Sequence, residues 1–249
     1  MPIRRSALAI VLAATALPAS ALDLSAMSEN ERAAFRAEVR AYLLENPEVL
    51  TEAIAVLEQR EQQQQVAADQ MLVQDNFDAI LADGHSWIGG NPEGDVTVVE
   101  FMDYRCGYCR RAFEEVEDLV EGDGNIRFIL KEFPILGEQS VMASQFAITV
   151  QQLHGNDAYK AAHDALMLMQ TDISEQSLTR LAEGLAFDPA PIMARMAAPE
   201  VMAIIDANHQ LAQDLSISGT PTFVMGDRLV RGYVPLPTME AIIEEERAG

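Results

Sequence analysis

Two thiols separated by two residues are the most reactive feature of this chain. They are Cys106 and Cys109, in Val98-Val99-Glu100-Phe101-Met102-Asp103-Tyr104-Arg105-Cys106-Gly107-Tyr108-Cys109-Arg110-Arg111, and the chain has no other cysteine. A run of Val, Phe and Met precedes them and reads as a buried strand. Arg110-Arg111-Ala112-Phe113-Glu114-Glu115-Val116 follows with the charge and spacing of a helix. Cys106 therefore falls where a strand becomes a helix. Unpaired amide N–H groups and the helix dipole stabilise an anion there. A thiol so placed ionises more readily than a free one, whose pKa is about 8.5. The expected chemistry is a reactive thiolate with a second thiol close enough to close a disulfide with it.

A zinc site would need further ligands. No other cysteine exists, and His85, His154, His163 and His209 show no ligand-like spacing. An inert structural disulfide is equally unattractive, because a ring this small removes little entropy from the unfolded chain. No bound metal or other cofactor is expected; the alternative is a soft-metal site on the same dithiol, for which Cu(I) is the plausible ion. Glu100 sits inside the apolar run, where an ionised carboxylate is costly unless it has work to do. Burial would raise its pKa and suit it to moving the Cys109 proton; a strand-end glutamate facing solvent is the alternative. Lys131, in the next strand, is a candidate partner for Glu100 or else an exposed lysine.

The elements that position these residues follow from period and punctuation. Thr97 to Tyr104 is expected as a strand, then a helix to about Glu121, a turn at Gly122-Asp123-Gly124-Asn125, and a second strand from Ile126 to Phe133. Strand, helix, strand implies a βαβ unit and a parallel pair. From Gly137 to about Leu215 the period is helical, with breaks at Gly155, Thr171-Asp172 and Asp188-Pro189. Thr222 to Met225 and Arg228 to Arg231 flank Gly226-Asp227, a hairpin signal, and Thr238 to Arg247 reads as a closing helix. Trp87 to Asp95 is read as a loop of turn formers. Methionines at helical spacing, Met167-Leu168-Met169 among them, are read as core filling rather than copper ligands.

Upstream, Ser28-Glu29-Asn30-Glu31 is a capping box and Phe35, Val39, Tyr42 and Leu43 form a helical stripe. Asn46-Pro47 stops that helix and starts another, with Leu50, Ile54 and Leu57 on one face. Glu58 to Gln65 is polar all round, as in a stalk or linker. Two short amphipathic helices cannot bury their own stripes, so residues 22–84 are expected to form a helical homo-oligomerisation segment; a domain-hugging extension is the alternative.

Length and composition agree with an exported α/β protein. The 249 residues have room for one large or two modest domains, and the net charge of −22 argues against nucleic acid or an anionic membrane surface as partner. Met1-Pro2-Ile3-Arg4-Arg5, the apolar run Ala7 to Leu17 and Ala19-Ser20-Ala21 fit a cleaved signal peptide over residues 1–21. Export places the thiols where disulfides persist, in the periplasm.

Three stretches in this order resemble the DsbA family of exported thiol–disulfide oxidoreductases. They are Glu100 to Arg110, Lys131-Glu132-Phe133-Pro134-Ile135-Leu136-Gly137, and Ser218-Gly219-Thr220-Pro221-Thr222-Phe223. The likeness covers roughly residues 85–249 and implies a thioredoxin-like fold with a helical insertion at about 137–215. Asn46-Pro47-Glu48-Val49-Leu50 and its helices resemble the oligomerisation segment of the suppressor-of-copper-sensitivity C proteins, some of which are trimeric disulfide isomerases. The resemblance implies Cys106 as the exposed nucleophile, Cys109 as the resolving thiol and Glu100 as the buried acid beneath them. It implies Pro221 as the cis-proline facing them, and Gly107, Tyr108 and Thr220 as residues meeting the client. It further implies cysteine-containing clients and a membrane redox partner. Tyr108 stands where strongly oxidising members carry His, so a potential nearer about −180 mV than about −120 mV is expected.

Overall fold

The computed structural model describes residues 26–248, so the expected signal segment, 1–21, lies outside the described residues. The chain divides into two compact units, with the boundary between Gln59 and Arg60. In the first, α1 (Glu29–Glu45) starts on the Ser28 capping box and contains no buried residue. It ends at Asn46, whose backbone N–H and side-chain Nδ2 both donate to the Tyr42 carbonyl, at 2.8 and 2.9 Å. Pro47 then precedes α2 (Glu48–Asp75). The glutamine-rich stretch read as a linker is interior to this one helix, and its residues are good helix formers.

The second unit begins within α2 and contains a five-stranded sheet. Its strands are β1 (Trp87–Gly90), β2 (Val96–Met102), β3 (Ile126–Glu132), β4 (Thr222–Met225) and β5 (Arg228–Arg231), in the order β1-β3-β2-β4-β5. β2 and β3 run parallel, joined by α4 (Gly107–Asp123), and the remaining pairs are antiparallel. The helical insertion comprises α5 (Glu138–His154), α6 (Asn156–Leu168), α7 (Glu175–Gly184), α8 (Pro189–Arg195) and α9 (Pro199–Asp214), and α10 (Leu236–Ala248) closes the chain. Helices cover both sheet faces, which is why β2 and β3 read as almost continuous apolar runs. On one face Val98, Met102, Phe128 and Leu130 pack with α4, α5, α6 and α10. On the other, Val99, Phe101 and Ile129 meet Leu211 and Leu215 of the α9 region.

Two expectations need correction. The segment 22–84 is not one stalk. Its second half belongs to the sheet unit, where Val73 of α2 and Ile80 of α3 (Phe77–Leu81) lie in the core. Asp69 makes a two-pronged ion pair with Arg231 at 2.6 and 2.9 Å. The stretch Trp87–Gly90, read as loop, is an antiparallel edge strand on β3. Its glycines hid it, because glycine is depleted in strands. They are required here: a Cβ at Gly90, which has φ +62°, would collide with the Ile126 carbonyl, and one at Gly89 with the Trp87 ring.

Candidate active site

Cys106 is the N-cap of α4, with φ −73° and ψ 117°, so it occupies the junction expected of it. The turn before it is held from inside by Asp103, which is fully buried. Its Oδ1 accepts the Arg105 N–H at 2.7 Å, and its Oδ2 accepts the Ile135 and Leu136 N–H groups at 2.8 and 3.0 Å. The Asp103 carbonyl accepts the Cys106 N–H at 3.0 Å. One carboxylate thereby ties the cysteine turn to the loop after β3.

The two thiols differ sharply. The Cys109 thiol, the Thr220 side chain and the backbone N–H groups of Cys109 and Tyr108 all favour Cys106 as an anion. Burial opposes them, and its pKa settles at about 5. Cys109 is pushed far the other way, by burial first, then by the Cys106 sulfur and the charge of Glu100. Exposure follows the same asymmetry: Cys106 is 7% exposed and Cys109 0%. The exposed nucleophile expected from the resemblance is therefore corrected to a buried residue that is still the more accessible of the two cysteines. Gly107 and Tyr108, between the two cysteines, are both exposed, Tyr108 at 62%.

Thr220 and Pro221 reach the cysteines because β4 pairs with β2, with Thr222 opposite Phe101. The Thr220–Pro221 peptide is cis, and the Thr220 carbonyl lies 3.2 Å from Cys106 Sγ. The Pro221 carbonyl accepts the Gly232 N–H at 2.9 Å, so Thr220 supplies the backbone nearest the sulfur.

Glu100 points into the core on the face of β2 that carries Val98 and Met102. It is 4% exposed, and among the described residues its Oε1 has no hydrogen-bond partner. Burial, then the charges of Cys106 and Glu117, lift its pKa to about 8. Lys131 is not its partner. In the parallel register Glu100 lies opposite Leu130, and Lys131 opposite Phe101, so the two point to opposite faces. Lys131 is fully buried and bonds instead to Asp83 and to the Ala79 carbonyl, the latter at 2.9 Å. Burial alone would raise the Asp83 carboxyl, but hydrogen bonds from Lys131 and Ser86 hold it at about 2.

A family model described as a DSBA-like thioredoxin domain matches residues 97–244. The chain belongs to this DSBA-like thioredoxin family. A second model, the copper resistance protein ScsC N-terminal domain, matches residues 31–64, so the DSBA-like domain here follows an ScsC-type N-terminus. A structure described as a thioredoxin-like oxidoreductase from Silicibacter pomeroyi DSS-3 is 42% identical, with a TM-score of 0.65, covering 69% of this chain and 98% of that one. Proteus mirabilis ScsC, solved in a transitional conformation, is 28% identical with a TM-score of 0.66, covering 91% of this chain and 99% of that one. A Na(+)/H(+) antiporter NhaA from Salinispora tropica is 28% identical over 156 residues, 63% of this chain. The chain spans only 24% of that protein's length.

Asp103, Tyr104 and Glu132 were not singled out from the sequence. The rule that flagged Glu100, an acid inside an apolar strand, applies equally to Glu132 at the end of β3, which is 3% exposed.

Proposed function

We propose that this protein is an exported, periplasmic thiol–disulfide isomerase or reductase that acts on cysteine-containing client proteins. The observation that carries this reading is the placing of the paired thiols, Cys106 as the N-cap of α4 with the Thr220 carbonyl 3.2 Å from its sulfur and Cys109 fully buried behind it, an arrangement that favours ionisation of the first and opposes that of the second. Ionised Cys106 attacks a client disulfide, forms a mixed disulfide and releases one client thiolate. In isomerisation, a second client thiol attacks back and regenerates Cys106. When the intermediate stalls, Glu100 in its ionised form, relieved of the Cys106 charge once that sulfur is bonded to the client, takes the Cys109 proton, and the Cys109 thiolate attacks Cys106 Sγ. The Cys106–Cys109 disulfide forms, the second client sulfur leaves as a thiolate and takes up a proton, and the client has gained two electrons. Thr220, Pro221, Gly107 and Tyr108 form the surface the client meets, and an extended client would pair with the Thr220 backbone in strand-addition fashion. A membrane-bound dithiol donor then reduces the pair again.

The N-terminal helices support a homo-oligomer, trimeric by likeness to the ScsC group. Phe35, Val39, Leu43 and Leu50 line one open apolar groove, and Phe35, Val39 and Leu50 are each more than two-fifths exposed. Several active sites around one client favour shuffling over net oxidation, and shield the thiols from an oxidising partner.

Reactivation of scrambled ribonuclease by the reduced protein tests this directly. Recovery of ribonuclease activity is expected. Failure to reactivate, combined with rapid oxidation of reduced ribonuclease by the disulfide form, would make the protein an oxidase instead. A second reading, Cu(I) held by the same dithiol, is favoured by the match to a copper resistance N-terminal domain. Cu(I) titration of Cys106→Ser tests it, since undiminished affinity excludes a dithiolate site.

A further inference from the structure

Behind the cysteine turn lies a buried polar cluster that the exchange reaction does not use. Glu132 ends β3, with its side chain on the face toward the helical insertion. Its Oε1 accepts the Tyr104 hydroxyl at 2.8 Å and the Tyr159 hydroxyl at 2.6 Å, and its Oε2 accepts the Ser144 hydroxyl at 2.7 Å. The Tyr104 oxygen is also 3.2 Å from His163 Nδ1. Those donors come from three places: the cysteine turn, α5 and α6. Even the Glu132 main chain is tied, its carbonyl accepting Asn208 Nδ2 of α9 at 3.0 Å.

Tyr104 is the route to the thiol. It stands two residues before Cys106 and is fully buried. Its carbonyl accepts Arg110 Nε at 2.7 Å, and the same guanidinium donates through Nη1 to the Met169 carbonyl at 2.7 Å, just past α6. The tyrosine is thus fixed at its ring by Glu132 and at its backbone by α4.

We propose that Glu132 is a positioning residue for Cys106: its carboxylate fixes Tyr104, and hence the cysteine turn, to helices α5 and α6. This rests on Cys106 being the attacking thiol. Buried hydroxyls converging on one carboxylate make a network whose parts stand or fall together.

The cluster can exist in two protonation states without losing a bond. With Glu132 ionised, the hydroxyls of Tyr104, Tyr159 and Ser144 all donate to it, and His163 donates from Nδ1 to the Tyr104 oxygen. With Glu132 protonated, it donates to the Tyr104 oxygen, and the Tyr104 hydroxyl turns to donate to His163 Nδ1, the imidazole then being the tautomer with its proton on Nε2. Burial raises the Glu132 pKa to about 7 against the pull of the three hydroxyls, and the Asp103 charge adds to the rise. The imidazole and the two tyrosines of the cluster stay neutral through this range. Burial pushes His163 down to about 3, with Lys160 of the same helix adding to the fall, and pushes both tyrosines well above their ordinary value. Arg110 faces the cluster from α4 and is engaged with backbone carbonyls. Glu100 of β2 acts on Tyr159 and titrates at about 8, inside this range, so the loss of the inflection in Glu132→Gln is what assigns it to Glu132. Among the described residues no lysine or arginine forms an ion pair with Glu132.

The chain carries its own reporter. Trp87 is its only tryptophan, and its ring stacks on Tyr159 at 5.8 Å with an interplanar angle of 22°. The experiment follows Trp87 fluorescence and the rate of Cys106 alkylation, per thiolate, in the full-length reduced protein between about pH 5.5 and about pH 8.5. Wild type is expected to show an inflection near pH 7 in both signals, and Glu132→Gln to lose it in both. Tyr104→Phe is expected to keep the fluorescence inflection through Tyr159 but to lose it in alkylation. Its alkylation rate should also change by at least about threefold, as a displaced reacting group demands. Should Glu132→Gln fail to fold, Tyr104→Phe alone decides on the same two signals. A reactive Cys106 whose pH profile and rate are indifferent to these substitutions overturns the proposal and leaves the thiol assignment standing. An unreactive Cys106 in wild type refutes both.

Discussion

Replacing Glu100 by Gln should make the protein more stable and less able to finish its reaction. The carboxyl is fully enclosed with a pKa near 8, against 4.5 for the unfolded chain. A raised carboxyl stabilises the fold fully only below about pH 4.5, where both states hold the proton. That contribution is lost as pH rises to the folded value, because the unfolded chain releases its proton first. At 1.36 kcal/mol per unit, wild type should lose roughly 3 kcal/mol relative to Glu100→Gln between about pH 5 and about pH 7.5. Whatever the amide gains or loses in hydrogen bonding is independent of pH, so the change in the gap carries the test rather than its absolute size. Urea unfolding at the two pH values measures it. In stopped-flow assays the first client thiol should appear at the wild-type rate. Release of the second should slow by about a hundredfold, the usual scale for a lost general base. A stability gap that stays flat with pH would show that Glu100 is not held protonated by burial, and the proton-transfer role would go with it.

Asp83→Asn should cost about 3 kcal/mol in urea unfolding, at the lower end for a broken buried pair, because Lys131 keeps its bond to the Ala79 carbonyl. A loss under about 1 kcal/mol would mean that the lysine finds water. Deleting residues 22–59 should give a folded monomer by light scattering. Deleting 22–84 should also strip Val73, Ile80 and the Asp69–Arg231 pair from the sheet unit and lower its melting temperature. An unchanged mass after the shorter deletion would place the subunit interface elsewhere.

Residues whose chemistry clashes with their surroundings were the easiest to read from the sequence. Cys106 announced itself by its spacing to Cys109 at a strand–helix junction, and Glu100 by lying among Val98, Val99, Phe101 and Met102. Relations between strands were harder. Pairing Lys131 with Glu100 required the β2–β3 register, and a shift of a single residue moves a side chain to the opposite face. Here that register sends Lys131 to Asp83. β1 was invisible because Gly89 and Gly90 weaken a strand signal, and their need arises only from close approach to Trp87 and Ile126. Glu132 was not singled out, although it too is an acid at the end of an apolar strand. Its burial depends on Tyr159 and Ser144, which lie 27 and 12 residues further along the chain. Likewise the polar run Glu58 to Gln65 has no apolar face of its own, yet it continues into turns of α2 that carry Asp69 and Val73 into the fold.

The acidity of Cys106 is the central quantity, and the ultraviolet absorbance of the thiolate across pH measures it in the reduced full-length protein. At pH 7 a thiol with a pKa near 5 is about 99% ionised, whereas one at 9.0 is about 1% ionised. The account predicts a single thiolate appearing with a midpoint near pH 5, absent from Cys106→Ser, with no second thiolate from Cys109 below pH 9. A midpoint at the ordinary value of about 8.5, or two thiolates titrating together, would contradict it.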